Sequence, residues 1–386
     1  MLSNIKKLYI SHFLIGLVFW YGIEKLFITS IGIDAAGIGF ITAMFLTFNL
    51  VFDIPCGMLA DKWSRKWMLC IACVGMALAA VVMGGAHSLP ILALGYISYG
   101  VYVCCTDGVY QAIIYDSLHQ EGRSEDYSKI NGRMGALFLT GASVANVVSG
   151  FLAAHTSYSF VYFISVVPCV LNILIISTIK EPKFHKAEAK ERMLRQIKDV
   201  TKNIVKVRAL RVLVLVFSGL TVIELFKSEF GQLYMLRYVS SAELLGILWA
   251  GYSLAWALGS LIAHKLHARL SLLIWLSVIP YFFMAFIDTG LGIVLFVVQA
   301  VASAAMYNQI ETRIQDVTPS AVRASVLSVL NALERLISIP SALLIGWVIR
   351  DYNIFWVVRG VAIVCAVMLA FWLSSGRKIH NEVPAT

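Results

Sequence analysis

Ionisable residues stand inside apolar segments of this sequence, where they could bind protons or charged ligands. Glu24 and Lys25 are neighbours in WYGIEKLF, and VIELFKSEF contains Glu224, Lys227 and Glu229. An ionised group at membrane depth costs at least ~2.5 kcal/mol, so it needs a partner or a water-filled cavity. Burial raises the pKa of a carboxyl group and a nearby cation lowers it, so a carboxylate that alternates between such surroundings can load and release a proton.

Two interpretations of these acid–lysine groups stay open. They could form a paired outer gate, or they could be interface residues whose long side chains reach water. Asp107 lies deeper in its own apolar segment, YVCCTDGVYQ. We predict that Asp107 contacts a proton or the substrate, with a structural hydrogen bond as the alternative. Glu334 stands beside Arg335 and is predicted to form a helix-packing ion pair.

The elements that must position these residues are membrane helices. Of the 386 residues, 59% are hydrophobic and 14% are charged, whereas soluble domains contain about 25% charged residues. Apolar runs of about 20 residues recur, and each is long enough to cross a bilayer as a helix. The first run carries Glu24 and Lys25 and lacks a small-residue cleavage site, so we predict a retained helix rather than a signal peptide. The sequence thus predicts an all-α polytopic membrane protein with twelve transmembrane helices, at about 8–28, 36–60, 67–86, 89–118, 130–153, 158–179, 210–236, 242–263, 270–287, 289–314, 323–349 and 353–374.

The chain divides into two similar halves. A polar stretch at 180–211 separates six predicted helices from the next six, and an offset of 202 residues places Gly57 on Gly259 and Lys25 on Lys227. Repeated halves of this kind are typical of alternating-access carriers. We therefore predict two pseudo-symmetric six-helix bundles, at 1–180 and 210–386, joined by a cytoplasmic loop at 181–209. The second bundle ends in a short cytoplasmic tail.

Lysine and arginine residues determine the predicted orientation. Most of the 31 cations fall on one side of the predicted helices, together with both chain ends. Because positive residues near span ends stay in the cytoplasm, both termini are predicted to be cytoplasmic, with the protein in the inner membrane. This asymmetry and attraction to anionic lipid explain the net charge of +9, so membrane lipid is a predicted partner and nucleic acid is not.

A charged stretch interrupts the apolar sequence between the second and third predicted helices. Asp61 stands where a helix ends at the cytoplasmic surface, and its natural partners are Arg65, Lys62 and the positive N-terminal end of another helix. Such contacts would exist only when the two halves close on that side. This reasoning predicts a conformational latch, whose partner helix is entered through Thr318–Ser325. The alternative is that these charges only signal topology.

The same stretch, GMLADKWSRK, resembles motif A of the major facilitator superfamily, which reads roughly G-x-L-A-D-R-x-G-R-K. Lys62 replaces the favoured Arg and loses its planar fork. Ser64 replaces a Gly and must tolerate a turn that Gly enters more easily. FDIPCGMLAD, YDSL and INGR are similar to stretches of efflux-type permeases in that superfamily. The resemblance implies the twelve-helix fold and a latch formed by Gly57, Asp61, Lys62, Arg65, Lys66 and Asp116, with Asp116 as a second carboxylate for Arg65.

A second resemblance lies in the fifth predicted helix. Its stretch GASVANVVSG is similar to the glycine-rich motif of drug:proton antiporters, close to G-x-x-x-G-P-x-x-G-G, but an asparagine replaces the proline. Small residues at this spacing let helices approach closely, so an ordinary packing face is the alternative. The fourth helix also lacks the buried Arg that many such antiporters use. The residues of this helix-packing motif are Gly141, Ala145, Asn146, Ser149 and Gly150.

These features predict a secondary active transporter. The leading hypothesis is proton-coupled efflux of amphipathic compounds or metabolites, with the six ionisable residues Glu24, Lys25, Asp107, Glu224, Lys227 and Glu229 as proton or substrate contacts. One alternative is uptake or export of an anionic nutrient or metal chelate, and another is a non-transporting sensor or lipid-handling protein. The chain has no P-loop, G-x-S-x-G or H-E-x-x-H motif, so no enzymatic activity, cofactor or metal is predicted. The expected partners are a small molecule, protons and lipid, and the expected state is a monomer.

Overall fold

The computed structural model describes residues 3–181, 208–316, 318 and 323–379, and the regular structure in these ranges is helical. Four short 3₁₀ or π segments interrupt or precede the α-helices, at Phe19–Gly22, Ser124–Asp126, Phe226–Phe230 and Ala263–Arg269. The α-helices are α1 Asn4–Gly16, α2 Glu24–Ser30, α3 Ala35–Lys62, α4 Arg65–Gly84, α5 Leu89–Thr106, α6 Val109–Gln120, α7 Tyr127–His155, α8 Tyr158–Ile164, α9 Val166–Ser177, α10 Arg208–Leu225, α11 Gly231–Leu236, α12 Ala242–Ile262, α13 Leu270–Met284, α14 Leu291–Asp316, α15 Arg323–Asp351 and α16 Ile354–Ile379.

Most of the predicted spans are long apolar helices in the structure. Within the described ranges, ten helical segments are long and apolar enough to cross a membrane, and α13 is a shorter apolar helix. The seventh predicted span corresponds to α10, the π segment and α11, which carry Glu224, Lys227 and Glu229. The all-α membrane fold predicted from the sequence is confirmed. Most of the predicted central loop, 182–207, lies outside the described residues.

The first span is not a continuous helix. Leu17 ends α1, the chain forms a 3₁₀ turn at Phe19–Gly22, and α2 resumes at Glu24. Glycines allow this turn to lie close to α7: a Cβ on Gly22 would come 2.9 Å from the Asn146 carbonyl oxygen. A larger residue at Gly22 would therefore push the turn away from α7.

The fourth span is also broken, and this corrects the prediction of one helix over 89–118. Helix α5 ends at Thr106, Asp107 caps it, and Gly108 has a φ of +70° before α6 begins. Gly adopts this left-handed conformation without the steric cost that other residues meet. Asp107 is consequently an exposed residue at a break between two helices, inside a segment, Leu89–Gln120, that is long and apolar enough to cross a membrane.

The chain forms two compact units. The first contains the described residues up to 181 together with Val239–Leu254, and the second contains those from 208 to Tyr238 and from Ala255 onward. Helix α12 is thus divided between the units after Leu254. In the first unit, α1, α4, α6, α7 and α9 contribute buried residues to one core, among them Leu8, Leu69, Ile113, Met134 and Ile176.

The second unit has its own buried side chains. They come from α10, α13, α14 and α16 and include Leu220, Tyr281, Phe296 and Val358, each 1% exposed or less. Because lipid is as apolar as these side chains, close van der Waals packing holds such helices together in a membrane.

Candidate functional site

The acid–lysine pair of the first unit forms a small hydrogen-bonded group with a tyrosine, here called the first charge cluster (Glu24, Lys25 and Tyr96). Lys25 Nζ lies 3.0 Å from Glu24 Oε2 and 3.5 Å from the Tyr96 hydroxyl oxygen. The Tyr96 hydroxyl donates to the other carboxylate oxygen of Glu24. The Lys25 side chain is 1% exposed and the Glu24 side chain 15%. The cluster is therefore a nearly dry ion pair with one side open to a small area of solvent.

Aromatic side chains surround the first charge cluster. Tyr96 and Tyr99 lie one turn apart on α5, and the Tyr21 hydroxyl donates to the Tyr99 hydroxyl over 2.6 Å. Phe45 of α3 stacks on Tyr99 with ring centres 5.0 Å apart. Tyr102, the next turn of α5, stacks on Tyr99 at 6.0 Å. This row offers flat apolar faces and phenolic hydroxyls beside a carboxylate, a combination suited to a bulky, partly polar ligand.

The acid–lysine group of the second unit has different partners and is here called the second charge cluster (Glu224, Lys227 and Trp256). Lys227 Nζ lies 3.0 and 3.2 Å from the two carboxylate oxygens of Glu224. The same ammonium stands 5.0 Å from the Trp256 ring centre. Lys227 is wholly buried, whereas Glu224 is 18% exposed. An ammonium held between a carboxylate and an indole face gains both an ion pair and a cation–π contact.

More carboxylates lie near the second charge cluster. The Tyr307 hydroxyl of α14 hydrogen-bonds Glu334 of α15, and Glu224 and Glu311 are close enough to interact electrostatically with both residues. Arg335 also acts electrostatically on Glu334. Glu334 therefore belongs to a group of three acids from three helices, in addition to any ion pair with Arg335.

Irregular backbone accompanies both charge clusters. The first follows the 3₁₀ turn at Phe19–Gly22, and the second includes Lys227 within the π segment Phe226–Phe230. Broken membrane helices are characteristic of carrier binding sites, and π segments occur frequently at functional sites. Glu229 lies in the same π segment and is half-buried. The two clusters, whose lysines are 202 residues apart, are thus alike in backbone irregularity as well as in residue type.

The charged stretch after α3 forms a second group, here called the Arg65 cluster (Asp61, Ser64, Arg65, Asp116 and Glu181). Arg65 Nη2 lies 3.1 Å from Asp61 Oδ1, and Arg65 Nη1 contacts Asp116 Oδ2. The Arg65 side chain is 15% exposed, while that of Asp61 is 60% exposed. Both carboxylates that the sequence assigned to Arg65 thus contact it. The latch role stays a prediction, because 319–322 of its expected partner lie outside the described residues.

Glu181, which the sequence motifs did not indicate, also belongs to the Arg65 cluster. Its Oε1 accepts from the Arg65 backbone N–H over 2.6 Å, and its Oε2 contacts the Ser64 hydroxyl. A carboxylate here satisfies free N–H groups at the start of α4 and complements the helix dipole. Its position at the end of a predicted span, directly before Pro182, was the available signal.

Ser64 does not enter the turn that was expected for this position. Its φ of −161° is extended, and its hydroxyl accepts from the Trp67 backbone N–H over 3.2 Å as the N-cap of α4. Two other residues of the motif lie outside the Arg65 cluster. Lys62 is exposed, and Lys66 Nζ lies 5.1 Å from the Trp67 ring centre. A Cβ on Gly57 would meet nothing within 4 Å, so packing against the described residues does not require glycine there.

The small residues of α7 pack closely against two other helices, α1 and α12. A Cβ on Gly141 would lie 2.5 Å from the Phe13 carbonyl oxygen of α1, and one on Gly150 would lie 2.5 Å from the Ala242 carbonyl oxygen of α12. Ala145 and Ser149 are wholly buried on the same helix. Asn146 replaces the proline of the antiporter pattern, and its amide donates to the Ser253 hydroxyl over 3.2 Å. The close packing is present, and the antiporter role stays a prediction.

An exposed ion pair offers a contrast to the buried ones. Arg237 binds Asp288 through two hydrogen bonds, of 3.1 Å from Nε and 2.6 Å from Nη2. The Tyr238 hydroxyl also donates to Asp288, over 2.9 Å. The hydrogen bonds from Arg237 hold the pKa of Asp288 below its usual value of 3.8. Within the described ranges, no group of three His, Cys, Asp or Glu residues is arranged to hold a metal ion.

Comparisons with known proteins gave consistent results. A family model described as Major Facilitator Superfamily matches residues 8–339. The quinolone resistance protein NorA of Staphylococcus aureus is 21% identical over 183 residues, which cover 46% of this chain and 46% of NorA. The chain therefore spans about half the length of the curated relatives it matches.

Solved structures match over a larger part of the chain. The crystal structure of a mutant of the nucleoside transporter NupG has a TM-score of 0.81 and 16% identity, covering 96% of this chain and 100% of that one. The crystal structure of a D-xylose-proton symporter has a TM-score of 0.73 and 13% identity, covering 95% and 97%. At these identities the similarity shows a shared fold.

Proposed function

Because the chain belongs to the major facilitator superfamily, we propose that it is a secondary active transporter that exports amphipathic compounds or metabolites in exchange for protons. The family and the transporter structures that share the fold indicate a transporter rather than an enzyme. The direction of transport and the exchange with protons go beyond what family membership implies. The similarity to NorA, a quinolone resistance protein, supports export only weakly, because it covers half of each chain.

The observation that carries the proposal is the pair of charge clusters. Each unit holds a lysine that is at most 1% exposed, paired with a glutamate that is 15–18% exposed, beside a broken helix. In each pair the glutamate is the member within reach of water, so it can receive a proton while the lysine stays buried. Protonation of the glutamate would cancel the ion pair and change the charge presented to a ligand. This is the coupling that proton exchange requires.

The row of tyrosines on α5 supports the proposed substrate class. Tyr96 binds Glu24, while Tyr99 and Tyr102 extend the aromatic surface away from it. A ligand that stacks on this surface could place a cationic or hydrogen-bonding group near Glu24. The Arg65 cluster would then serve as the latch of the alternating-access cycle, as proposed for Asp61 and Arg65 from the sequence.

Transport of an anionic substrate is the second candidate. The two buried lysines favour it, because an anion could replace either glutamate as a lysine partner. Loss of Lys25 and Lys227 should abolish anion transport but spare export of cationic compounds.

The test is substrate-driven proton movement in proteoliposomes that contain a pH-sensitive dye. A panel of cationic dyes, anionic chelates, nucleosides and sugars would be added to the wild type and to Glu24→Gln, Glu224→Gln and Asp107→Asn. Glu125→Gln is the matched control, since Glu125 is an exposed carboxylate outside both clusters. We expect proton release with cationic compounds, lost in at least one cluster variant and kept in the control.

Three results would change the conclusion. Substrate flux without proton movement would reject the exchange mechanism. Flux of anionic compounds alone would favour the second candidate. Binding with no flux for any compound would favour a sensor or lipid-handling protein.

A further inference from the structure

A basic pocket lies between the starts of two helices in the first unit, and its lining shares no residue with either charge cluster. It has a volume of about 290 Å³ and lies between the first turn of α1 and the first turns of α7. Four cations line it, Lys6, Arg123, Lys129 and Arg133, with Asp126 as the acidic residue of the lining. From this arrangement we infer that the pocket binds a phosphate group, supplied by the head group of an anionic phospholipid.

Of the four cations in the pocket, Arg123 forms ion pairs with acidic residues. Arg123 is bound by Asp126 over 2.8 Å and by Glu121 over 3.2 Å. Lys6, Lys129 and Arg133 are exposed, and none of the three forms an ion pair with a residue in the described part of the chain. Three cations around one cavity therefore have charge available for a ligand.

Two features of the backbone add to this positive charge. The pocket includes the N-terminal ends of α1 and α7, where helix dipoles favour anions, although the Ser3 hydroxyl already accepts from the Lys6 backbone N–H at the start of α1. No side chain caps the first turn of α7. Lys129 and Arg133 are also four residues apart on α7, and like charges at that spacing repel each other unless an anion lies between them. A phosphate in the pocket would relieve this repulsion.

The apolar part of the lining favours a lipid over a soluble anion. Ile5 and Ile130 line the pocket and belong to the buried core of the first unit, while Tyr9 lines it and packs against that core. Such a wall can accommodate the glycerol and first acyl carbons that follow a head group. The pocket lies at the end of the first and fifth spans that positive residues assign to the cytoplasm, where anionic lipids attract basic groups. The inference uses this proposed orientation and is independent of the transported substrate.

Lipid retention by the full-length protein tests the inference. The protein would be released from nanodiscs of equimolar phosphatidylglycerol and phosphatidylethanolamine, and bound lipids counted by native mass spectrometry. The pocket variant carries Lys6→Gln, Lys129→Gln and Arg133→Gln. The matched control carries Lys180→Gln, Arg211→Gln and Lys265→Gln, three exposed cations on the same predicted face and outside the pocket.

We expect phosphatidylglycerol binding to weaken on the order of a hundredfold in the pocket variant, because each cation near an anionic surface contributes about fivefold. The control should retain the lipid as the wild type does. A charge-preserving variant, Lys6→Arg with Lys129→Arg and Arg133→Lys, should retain it too. Equal retention by the pocket variant and the control would overturn the inference, and so would loss in the charge-preserving variant.

A separate arm identifies the source of the phosphate. Sodium phosphate would be titrated into wild type and pocket variant in phosphatidylcholine nanodiscs. No binding of free phosphate, together with selective retention of phosphatidylglycerol, supports the lipid. Binding of free phosphate that needs the same three cations, without selective lipid retention, would overturn the lipid assignment and leave a site for a soluble phosphate compound.

Discussion

The two charge clusters share a lysine and a glutamate but differ in what completes them. In the first, a tyrosine hydroxyl binds the glutamate, and the lysine lies within 3.5 Å of the same hydroxyl. In the second, the lysine faces the ring of Trp256, and further acids, Glu311 and Glu334, lie near the glutamate. Within the clusters, the predicted 202-residue offset relates the two lysines only, since Glu24 would fall on Phe226 and Glu224 on Gly22, so each cluster reaches its ion pair from a different glutamate position.

This difference suggests a division of labour within the proposed cycle. The first charge cluster has one acid for one lysine and adjoins the row of tyrosines, so it is better suited to contact a ligand. The second has several acids around one buried lysine, so it has more groups that can hold a proton.

Replacing the buried lysine should reduce the stability of the protein more in the second charge cluster than in the first. Lys227→Met leaves Glu224 without its ammonium and near two other acids, so we expect a loss of about 3–5 kcal/mol in stability. Lys25→Met leaves Glu24 with its Tyr96 hydrogen bond, and we expect about 1–3 kcal/mol. Thermal or denaturant unfolding in detergent measures both. Lys265→Met, at an exposed lysine, should change stability by less than about 0.5 kcal/mol. A larger loss for Lys25→Met would contradict the contrast.

Removing the tyrosine hydroxyl should affect only the first cluster. Tyr96→Phe deletes a hydrogen bond to a carboxylate, for which we expect a loss of about 1.5–3 kcal/mol in stability. Tyr99→Phe deletes a bond between two neutral hydroxyls and should cost about 0.5–1.5 kcal/mol. The same unfolding assay compares them. If Tyr99→Phe costs as much as Tyr96→Phe, the charge on Glu24 adds nothing to its hydrogen bond with Tyr96.

Removing the indole should affect only the second cluster. Trp256→Leu takes away the ring face beside the Lys227 ammonium, which at a desolvated site contributes about 2 kcal/mol. Trp256→Phe keeps an aromatic face and should lose less. A double-mutant cycle with Lys227→Met separates the cation–π contact from lost packing. A coupling energy near zero in that cycle would show that Trp256 is only a packing residue.

The exposed pair of Arg237 and Asp288 should give the smallest effect. Because Arg237 lowers the pKa of Asp288 below its usual 3.8 in the folded state, the pair stabilises the fold above that value. The contribution should disappear as the pH falls through the lowered pKa. Melting temperatures of wild type and Asp288→Asn should therefore differ slightly near neutral pH and converge in strong acid. A difference that grows on acidification would contradict this sign.

Much of the fold could be predicted from the sequence, because apolar run length alone decides whether a helix can cross a bilayer. Contacts between near neighbours were also within reach: Glu24 adjoins Lys25, and Glu224 and Lys227 are three residues apart, which places them on one helix face. Breaks in the helices were harder to predict from the sequence. The turn at Phe19–Gly22 depends on α7 approaching Gly22, a tertiary contact that local sequence does not encode.

Partners distant in sequence were the main omission. Tyr96 is 72 residues from Glu24, and Glu181 is 116 residues from Arg65, so only the packed structure brings each pair together. At Asp107 the omission was a helix break. The glycine after it, with a φ of +70°, separates α5 from α6 and leaves Asp107 exposed, and its contact with a proton or substrate stays a prediction.

Hydrogen bonds connect the end of the sixth span to the rest of the first unit at three places. The Lys180 backbone exchanges two hydrogen bonds with the Asn4 amide, of 2.8 and 3.1 Å. Lys7 Nζ donates to the Thr178 carbonyl oxygen over 2.5 Å, and Glu181 binds the start of α4. The segment that ends at residue 181 is therefore held in place by hydrogen bonds to α1 and α4. A gene split after this point would encode an N-terminal fragment that keeps these contacts, which makes the position a rational choice for co-expressing the protein as two polypeptides.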